Sequence, residues 1–398
     1  MSAMLTLEEA QARLLELVPD QPLVETPTDE ASSLYLALDL AALRTQPTSD
    51  LSAMDGYAIC GDGPWQRVGE SRAGAPFVGA LNRGECTRIS TGAHMPSGSN
   101  RVLIQENANV HGTLVDLAEG ATLPDDYRHV RNAGFDFAKG QIVLSKGTRM
   151  GAAQIALALA SGHDCISHRV APRVAVLDSG DELARTSAEC SPNQIPASNG
   201  AMIAAMLSPY VDPVVRLGPV PDNREALANA LGKAECDILI TTGGASVGDH
   251  DLMQDALKDW GADITFWKVA IKPGKPLMVA VRDVEARRQV ILGLPGNPVS
   301  SFVTAQLFAL PLIRASLGDL SPMPRRILCQ SDQDLPATGK RREFIRAVFD
   351  GHCVKCVHSQ DSSGLLALAE ANCLIDRPAG APPVTSGEPV PMIHLQNG

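Results

Sequence analysis

Between Arg173 and Leu317, short apolar runs alternate with helix-like segments, and this alternation constrains the fold more than any other feature of the chain. The runs VAVL, DILIT and QVILGL have the length of strands and are almost wholly apolar, whereas a strand with one wet face would alternate apolar and polar residues. Segments such as NGAMIAAML and NREALANALG have helical spacing. The pattern predicts a doubly wound α/β domain whose parallel sheet is buried on both faces. Ligands of such domains bind beyond the carboxyl ends of the strands.

The flanking segments have a different texture and indicate further domains. An amphipathic helix is expected over Leu5–Val18, and residues 140–161 return to helical spacing. Between them, strand-length pieces punctuated by Gly and Pro favour a β-rich insertion, and strand-like runs reappear near the C-terminus. The predicted fold is therefore multi-domain α/β, with a helical, linking domain (1–46 and 136–170), an inserted β-rich domain (47–135), the central parallel-sheet domain (171–320) and a C-terminal β domain (321–398).

Composition limits the classes of function. The 398-residue chain is long enough for two to four domains, and its net charge of −11 disfavours general binding to nucleic acid or anionic membranes. The N-terminus lacks the basic start and apolar run of a signal peptide, and no run approaches 18 uninterrupted apolar residues. Nine scattered cysteines are then expected to be reduced thiols. We expect a cytoplasmic protein.

One glycine-rich loop follows the strand that ends at Thr242. The sequence TTGGASVGDHD places the hydroxyls of Thr242 and Ser246 and the glycines Gly243 and Gly244 between a strand and the next helix. Backbone N–H groups at such a junction bind anions. The terminal acid Asp251 indicates a metal ion carried by that anion, although an acid here is also a good helix N-cap.

A second loop, DSGDEL (Asp178–Leu183), ends another buried strand with three acids and one glycine. Acids would repel a bare phosphate, but they suit a hydrated Mg²⁺ that carries phosphate, or hydrogen bonds from ligand amines. The alternative is that Asp181 and Glu182 cap a helix N-terminus. The local sequence leaves both interpretations open.

A basic segment, FWKVAIKPGKP, places Lys268, Lys272 and Lys275 close together in an otherwise acidic chain. Two prolines stiffen the turn, and lysine ammonium groups act as point charges toward an oxyanion. A solvated basic turn is the alternative.

The segment LGLPGNPVSSF follows another predicted strand. Its Asn297 suits a helix N-cap and its Pro298 suits the first helical position, so local physics explains both residues without a ligand.

The segment HCVKCVH contains a C-x-x-C pair, Cys353 and Cys356, that resembles half of a zinc site. In a strand, however, positions three apart point to opposite faces. Zinc knuckles need a tight turn and usually a second knuckle, which the sequence lacks. We predict that these cysteines are structural and bind no zinc.

Taken together, these motifs resemble the molybdopterin molybdenumtransferases, the molybdenum insertases that include the E domain of gephyrin. The resemblance rests on nine pieces in family order that span nearly the whole chain: SAMDGYA, STGAHMPSGSNRVLIQE, RNAGFDF, VAVLDSGDEL, ILITTGGASVGDHD, FWKVAIKPGKP, GLPGNPVSSF, REFIRA and SSGLLALAEAN.

The resemblance implies an elongated homodimer of four-domain subunits. It implies a reaction in which adenylylated molybdopterin and molybdate react with Mg²⁺ support, AMP is released, and molybdenum remains on the dithiolene sulfurs. The molybdopterin adenylyltransferase and molybdoenzyme chaperones become candidate partners. The implied catalytic residues, of which Glu182 and Asp251 would hold the metal, are Asp55, Thr91, Asp136, Glu182, Asp222 and Asp251. The implied substrate-binding residues are Ser198, Asn199, Thr242, Gly243, Gly244, Ser246, Lys268, Lys272, Lys275, Pro295 and Pro298.

Three positions depart from the family pattern. Asp178 stands where Ser or Thr is common, Ala197 replaces the acid of an Asp-Ser-Asn or Asp-Thr-Asn triplet, and Asp249 replaces a usual Glu. Two other functions remain open: a non-catalytic molybdopterin carrier or scaffold of the same fold, and a molybdopterin adenylyltransferase, which shares only the central domain.

Overall fold

The computed structural model describes residues 4–243, 252–285 and 287–395, except for the side chain of Phe266. Gly244, Ser246, Asp249 and Asp251 of the glycine-rich loop therefore lie outside the described residues. The chain forms two compact units, one of residues 1–24 and 168–398 and the other of residues 25–167.

Helices in the described part of the chain are α1 (Leu7–Leu15), α2 (Ala152–Ala160), α3 (Asn199–Leu207), α4 (Arg224–Gly232), α5 (Leu252–Asp259), α6 (Pro298–Thr304), α7 (Leu310–Leu317) and α8 (Leu365–Glu370). The predicted N-terminal helix is confirmed as α1. It begins with a capping box, in which Thr6 Oγ1 accepts a hydrogen bond from Glu9 N–H and the Glu9 carboxylate accepts one from Thr6 N–H.

The strands of the first half are β1 (Leu23–Pro27), β2 (Leu40–Ala41), β3 (Leu51–Ser52), β4 (Gly56–Ile59), β5 (Trp65–Ser71), β6 (Glu85–Ile89), β7 (Arg101–Ile104), β8 (Ala108–His111), β9 (Leu114–Leu117), β10 (Val130–Arg131), β11 (Ile142–Leu144) and β12 (Cys165–Arg169). Those of the second half are β13 (Val174–Ser179), β14 (Leu183–Ala184), β15 (Ile195–Pro196), β16 (Val214–Val220), β17 (Ile238–Thr242), β18 (Asp263–Lys268), β19 (Ile271–Lys272), β20 (Pro276–Val284), β21 (Arg287–Leu294), β22 (Ile327–Ser331), β23 (Arg342–Phe349), β24 (Cys353–Cys356), β25 (Cys373–Arg377) and β26 (Pro389–His394).

A six-stranded sheet lies at the centre of the larger unit, in the order β16-β13-β17-β21-β20-β18. The first four strands are parallel, as predicted. The prediction of a wholly parallel sheet is wrong at the other side, because β20 runs antiparallel to both β21 and β18. Only two residues separate β20 from β21 in sequence, and so short a connection permits a hairpin but no crossover.

Both faces of this sheet are covered, which explains its continuous apolar strands. Alternate residues of each strand point to opposite faces, so Ala175, Leu177 and Leu239 pack with α4 and α5 on one side. On the other side α3 and α6 pack against each other, α3 against β13 and α6 against β21. Since β18 is antiparallel to β20, its last residue, Lys268, lies at the same edge as the carboxyl ends of the parallel strands.

Residues 298–317 form one continuous helical segment, in which a π-helical stretch (Ala305–Ala309) joins α6 to α7. By length and composition, Pro298–Ser316 is the one helix in the described ranges that could span a membrane, but 89% of it is buried inside the protein. Buried core helices have this composition, and residues such as Phe308 and Leu312 are fully buried here.

The C-terminal part of the larger unit contains a second six-stranded sheet, in the order β19-β23-β24-β22-β26-β25, with β23 also paired to β25. The predicted C-terminal β domain is thereby confirmed, with one correction. The sequence predicts strand for the run GLLALAEANCLI, but Leu365–Glu370 is helix α8 and the strand begins at Cys373. Leu and Ala favour helix, and the apolar run is too short to tell the two apart by periodicity.

Residues 25–167 contain a mixed six-stranded sheet, β7-β4-β6-β5-β9-β8. Gly56 is required in β4, because a Cβ there would lie 2.1 Å from the carbonyl oxygen of Leu103 on β7. The helical interpretation of 140–161 holds only for Ala152–Ala160, since Ile142–Leu144 pairs with β2 as a strand.

Candidate active site

The DSGDEL loop leaves β13 at the carboxyl edge of the central sheet. Gly180 N–H donates to Val220 O (3.1 Å), and Leu183 N–H donates to Gly180 O (3.1 Å). A Cβ at position 180 would lie 2.5 Å from Glu182 Oε2, and φ is +152°, so the turn requires glycine. Glu182 is exposed beside this turn.

The helix-capping interpretation of this loop is wrong, because strand β14 follows it rather than a helix. Asp181 Oδ1 instead accepts a hydrogen bond from the backbone N–H of Asp222 (3.0 Å). The structure thus places Asp222, after β16, beside the loop that carries Glu182. Two of the predicted acids come from neighbouring strand ends.

At the end of β17 the threonine hydroxyls are used within the protein. Thr242 donates its hydroxyl proton to Asp178 Oδ1, and Thr241 donates to Gly243 O (3.1 Å). Gly243 N–H donates to Leu294 O (3.1 Å). Thr242 and Gly243 therefore shape the start of the loop, whose further donors, on Gly244 and Ser246, lie outside the described residues.

The lysine segment is held on both sides. Lys268 O accepts from Leu5 N–H (2.8 Å), and β19 pairs with β23, which brings Lys272 Nζ to 3.3 Å from Glu343 Oε1. The Lys272 side chain is still 56% exposed, and Lys275 is also exposed. Two of the three ammonium groups therefore remain accessible to an oxyanion.

The turn between Lys272 and Lys275 rests directly on α6. Gly274 has a φ of +97°, and a Cβ there would lie 2.4 Å from Thr304 Oγ1. Glycine is therefore needed both for the backbone conformation and for the close approach.

The LPGNP loop completes the edge. Pro295 is buried, and Pro298 occupies the first turn of α6 as predicted. Asn297 has the N-cap position but makes no side-chain capping hydrogen bond. Asn199, at the start of α3, donates from Nδ2 to Gly296 O (2.7 Å) and so joins two loops. Ser198, the N-cap residue of α3, is exposed.

Sequence reasoning missed Arg346, a nearly fully buried arginine on β23. Its guanidinium donates to the carbonyl oxygens of Asp361 (2.8 Å) and Gly364 (3.1 Å), and Ser362 O of the same loop accepts from Val299 N–H in α6 (3.1 Å). Burial lowers the pKa of Arg346, while the negative charge of Asp361 opposes that shift. The only signal in the sequence was an arginine within a strand-like run.

The 25–167 unit brings together two further predicted residues. Asp55 Oδ1 accepts hydrogen bonds from Thr91 N–H (2.7 Å) and from the Thr91 hydroxyl (3.3 Å), and both residues are exposed. Asp136 is exposed on a separate loop, anchored by its backbone N–H to Gln46 O (3.0 Å).

The carboxyl edge of the central sheet therefore carries acids after the adjacent strands β13 and β16 and lysines at the end of β18 and before β20, and strands β17 and β21 lie between the two groups. No cluster of three or more metal-ligating side chains occurs within residues 4–243, 252–285 and 287–395. Mg²⁺ is usually held by one or two carboxylates together with substrate phosphates rather than by an all-protein cage. The exposed carboxylate of Glu182 fits such a site.

Family models match three regions of the chain: the MoeA N-terminal region (domain I and II) over residues 5–162, a probable molybdopterin binding domain over 175–315, and the MoeA C-terminal region (domain IV) over 330–395. The fold is also that of the molybdopterin biosynthesis moeA protein from Pyrococcus horikoshii OT3, with a TM-score of 0.83 at 23% identity over 99% of this chain and 100% of the other. The fold and site define a multi-domain protein of the MoeA type with a molybdopterin-binding domain at its centre.

Two curated relatives identify the family within this class of MoeA-type proteins. The molybdopterin molybdenumtransferase of Nostoc sp. is 33% identical over 92% of this chain and 87% of its own length. That of Haemophilus influenzae is 31% identical over 98% of this chain and 100% of its own length. The chain belongs to the molybdopterin molybdenumtransferase family.

Proposed function

We propose that the protein is a molybdenum insertase, which binds adenylylated molybdopterin and molybdate, releases AMP and leaves molybdenum on the dithiolene sulfurs. Family membership sets the class of reaction. The observation that supports the assignment to this chain is the accessible pair Lys272 and Lys275, which lies on the same carboxyl edge of the central sheet as Glu182 and Asp222, across β17 and β21. Lysine ammonium groups suit a molybdate dianion, and one or two carboxylates suit the Mg²⁺ that accompanies a nucleotide phosphate.

In this proposal Lys268, Lys272 and Lys275 attract the molybdate dianion, and Gly274 keeps their turn against α6. The ammonium of Lys272 faces Glu343 in the free protein, so molybdate would compete with that carboxylate for the charge. Glu182 and Asp251 would hold Mg²⁺, which would offset the negative charge that develops on the phosphate. Ser198, Asn199, Pro295 and Pro298 would shape the part of the site that receives the pterin.

We also propose a homodimer in which Asp55, Thr91 and Asp136 complete the site of a partner subunit. Their exposure and the Asp55–Thr91 hydrogen bonds are compatible with a preformed surface that meets a second copy. We place the enzyme in the cytoplasm, where the adenylyltransferase and molybdoenzyme chaperones would be its partners.

The test is AMP release from adenylylated molybdopterin, followed against molybdate and Mg²⁺ concentration. Lys272→Ala should raise the molybdate concentration for half-maximal rate about tenfold or more, because it removes a binding charge. Glu182→Gln should instead lower the rate by roughly 10²-fold, the loss typical of an electrostatic catalytic group. Lys258→Ala, an exposed lysine on α5, is the matched control and should change neither quantity.

A parent protein that binds the adenylate without releasing AMP would refute the enzyme assignment and favour the carrier. ATP-dependent formation of the adenylate would favour the adenylyltransferase. An unchanged molybdate dependence in Lys272→Ala would remove the lysine turn from the oxyanion site.

A further inference from the structure

Asp178 lies beneath the candidate site rather than on its surface. It is only 2% exposed, whereas Asp181 and Glu182 of the same loop are exposed. Its Oδ1 accepts the hydroxyl proton of Thr242, the residue opposite it on β17. A Cβ at Gly218 on β16 would lie 2.4 Å from the backbone oxygen of Asp178. Asp178 is therefore packed between the ends of both neighbouring strands.

The same carboxyl group faces the first turn of α3. A Cβ at Gly200 would lie 2.1 Å from Asp178 Oδ2, so the side chain occupies the space that any larger residue at position 200 would need. Helix α3 has no acidic residue in its first turn, and Ser198 makes no side-chain capping hydrogen bond. A helix N-terminus carries partial positive charge and is stabilised by a nearby carboxylate. Asp178 supplies this group from the sheet.

Helix α3 in turn begins with Asn199, whose side-chain amide carries both donor and acceptor groups. Asn199 Nδ2 is bound to Gly296 O, whereas its Oδ1 is buried and has no hydrogen-bond partner among the described residues. A buried acceptor without a partner costs free energy unless a ligand donates to it. The pterin N–H groups of the substrate are donors of the required kind.

We propose that Asp178 is a positioning residue of the molybdopterin site. It fixes the N-terminus of α3 against the end of β17, and thereby holds Asn199 where its Oδ1 can accept from the pterin. This inference rests on the proposed function for the identity of the ligand. The acid lies beside helix α3, which starts two residues after Ala197.

The test is a double-mutant cycle read by calorimetric binding of adenylylated molybdopterin, in the absence of molybdate and Mg²⁺. Asp178→Asn keeps the size but not the negative charge, and it should weaken binding about tenfold, the combined scale of one helix-terminus charge and one hydrogen bond. Gly200→Ala should weaken binding by a similar factor in the parent. In the Asp178→Ser background, Gly200→Ala should cost less than about threefold, because the shorter side chain leaves room for the methyl group.

The molybdate dependence of AMP release is the control for specificity. The lysine turn lies outside this cluster, so the molybdate concentration for half-maximal rate should be the same in Asp178→Asn as in the parent. Equal costs of Gly200→Ala in the two backgrounds would overturn the proposal. So would a loss of thermal stability in Asp178→Asn without a loss of affinity, which would make the role purely structural. A parent that binds the adenylate but releases no AMP would refute the proposed insertase activity and still leave Asp178 to be judged by the affinities. A parent that does not bind would refute both.

Discussion

Replacing the buried Asp376 by Asn tests whether the C-terminal β domain depends on one ionic cluster. The Asp376 side chain is fully buried and accepts hydrogen bonds from Arg326 Nε and from Arg342 Nε and NH2, the last at 2.7 Å. Arg342 also pairs with Glu8 on α1. Removing one partner of a buried ion pair costs about 3–5 kcal/mol, because the other charge stays buried without compensation.

The structure places the expected loss near the lower end of that range. The Arg326 side chain is 34% exposed and can be hydrated, while Arg342 is only 17% exposed but keeps Glu8. We therefore expect Asp376→Asn to destabilise the domain by about 3 kcal/mol. That loss corresponds to a fall of more than about 1 M in the urea midpoint for a domain of this size.

The assay must observe this domain separately, since the three tryptophans, Trp65, Trp260 and Trp267, all lie outside residues 321–398. Urea-dependent hydrogen exchange of peptides from β23 and β25, measured by mass spectrometry, reports the domain directly. Asp332→Asn is the matched control, because Asp332 is half-exposed and its ion pair with Lys355 is on the surface. Equal midpoints for Asp376→Asn and Asp332→Asn would refute the reasoning.

Three further predictions follow from other parts of the chain. Burial alone would raise the pKa of Asp237, but hydrogen bonds from Arg173 outweigh burial and lower this pKa, so the pair stabilises the fold at pH values above the ordinary aspartate range. At neutral pH, Arg173→Ala should lower the free energy of unfolding by about 1 kcal/mol after solvent screening. In urea melts, this difference between the variant and the parent should vanish as the pH falls below that range. Cys353 and Cys356 should bind no zinc; stoichiometric metal in the purified protein, lost in the double alanine variant, would contradict this. Light scattering at micromolar concentration should give twice the chain mass of 42.0 kDa, whereas a monomer mass would exclude the homodimer.

The α/β centre could be predicted from the sequence because burial on both faces leaves a direct trace in the strands. The parallel strands β13, β17 and β21 each contain an uninterrupted apolar run, and the run of the edge strand β16 is broken only by Arg216. The antiparallel direction of β20 could not be predicted, because a short connection and a partner strand fix this direction and composition does not. Its residues, PLMVAVRDV, are as apolar as those of the parallel strands.

In the C-terminal part, predictions from local sequence were wrong for a different reason. Leu365–Glu370 is too short for its periodicity to separate helix from strand, and burial of Ala367 and Leu368 against the sheet decides the outcome. Arg346 is a clearer case of tertiary control. Nothing next to it in sequence indicates burial, and its partners at Asp361 and Gly364 are 15 and 18 residues away. The burial of an arginine such as Arg346 depends on which loop the fold packs against its strand.

The same reasoning explains why the sequence could place the candidate residues at the carboxyl edge of the sheet, while the burial of each one could not be predicted. The sequence locates Asp178, Asp181 and Glu182 on one loop after a strand, and locally the three acids look equivalent. The structure separates them, because β13 continues to Ser179 and Asp178 is still part of the sheet, where α3 covers it. Asp181 and Glu182 follow after the turn at Gly180 and are exposed. Whether an acid is buried in the sheet or exposed at its edge is therefore decided by where the strand ends, within one or two residues, and this boundary is what a local pattern defines least sharply.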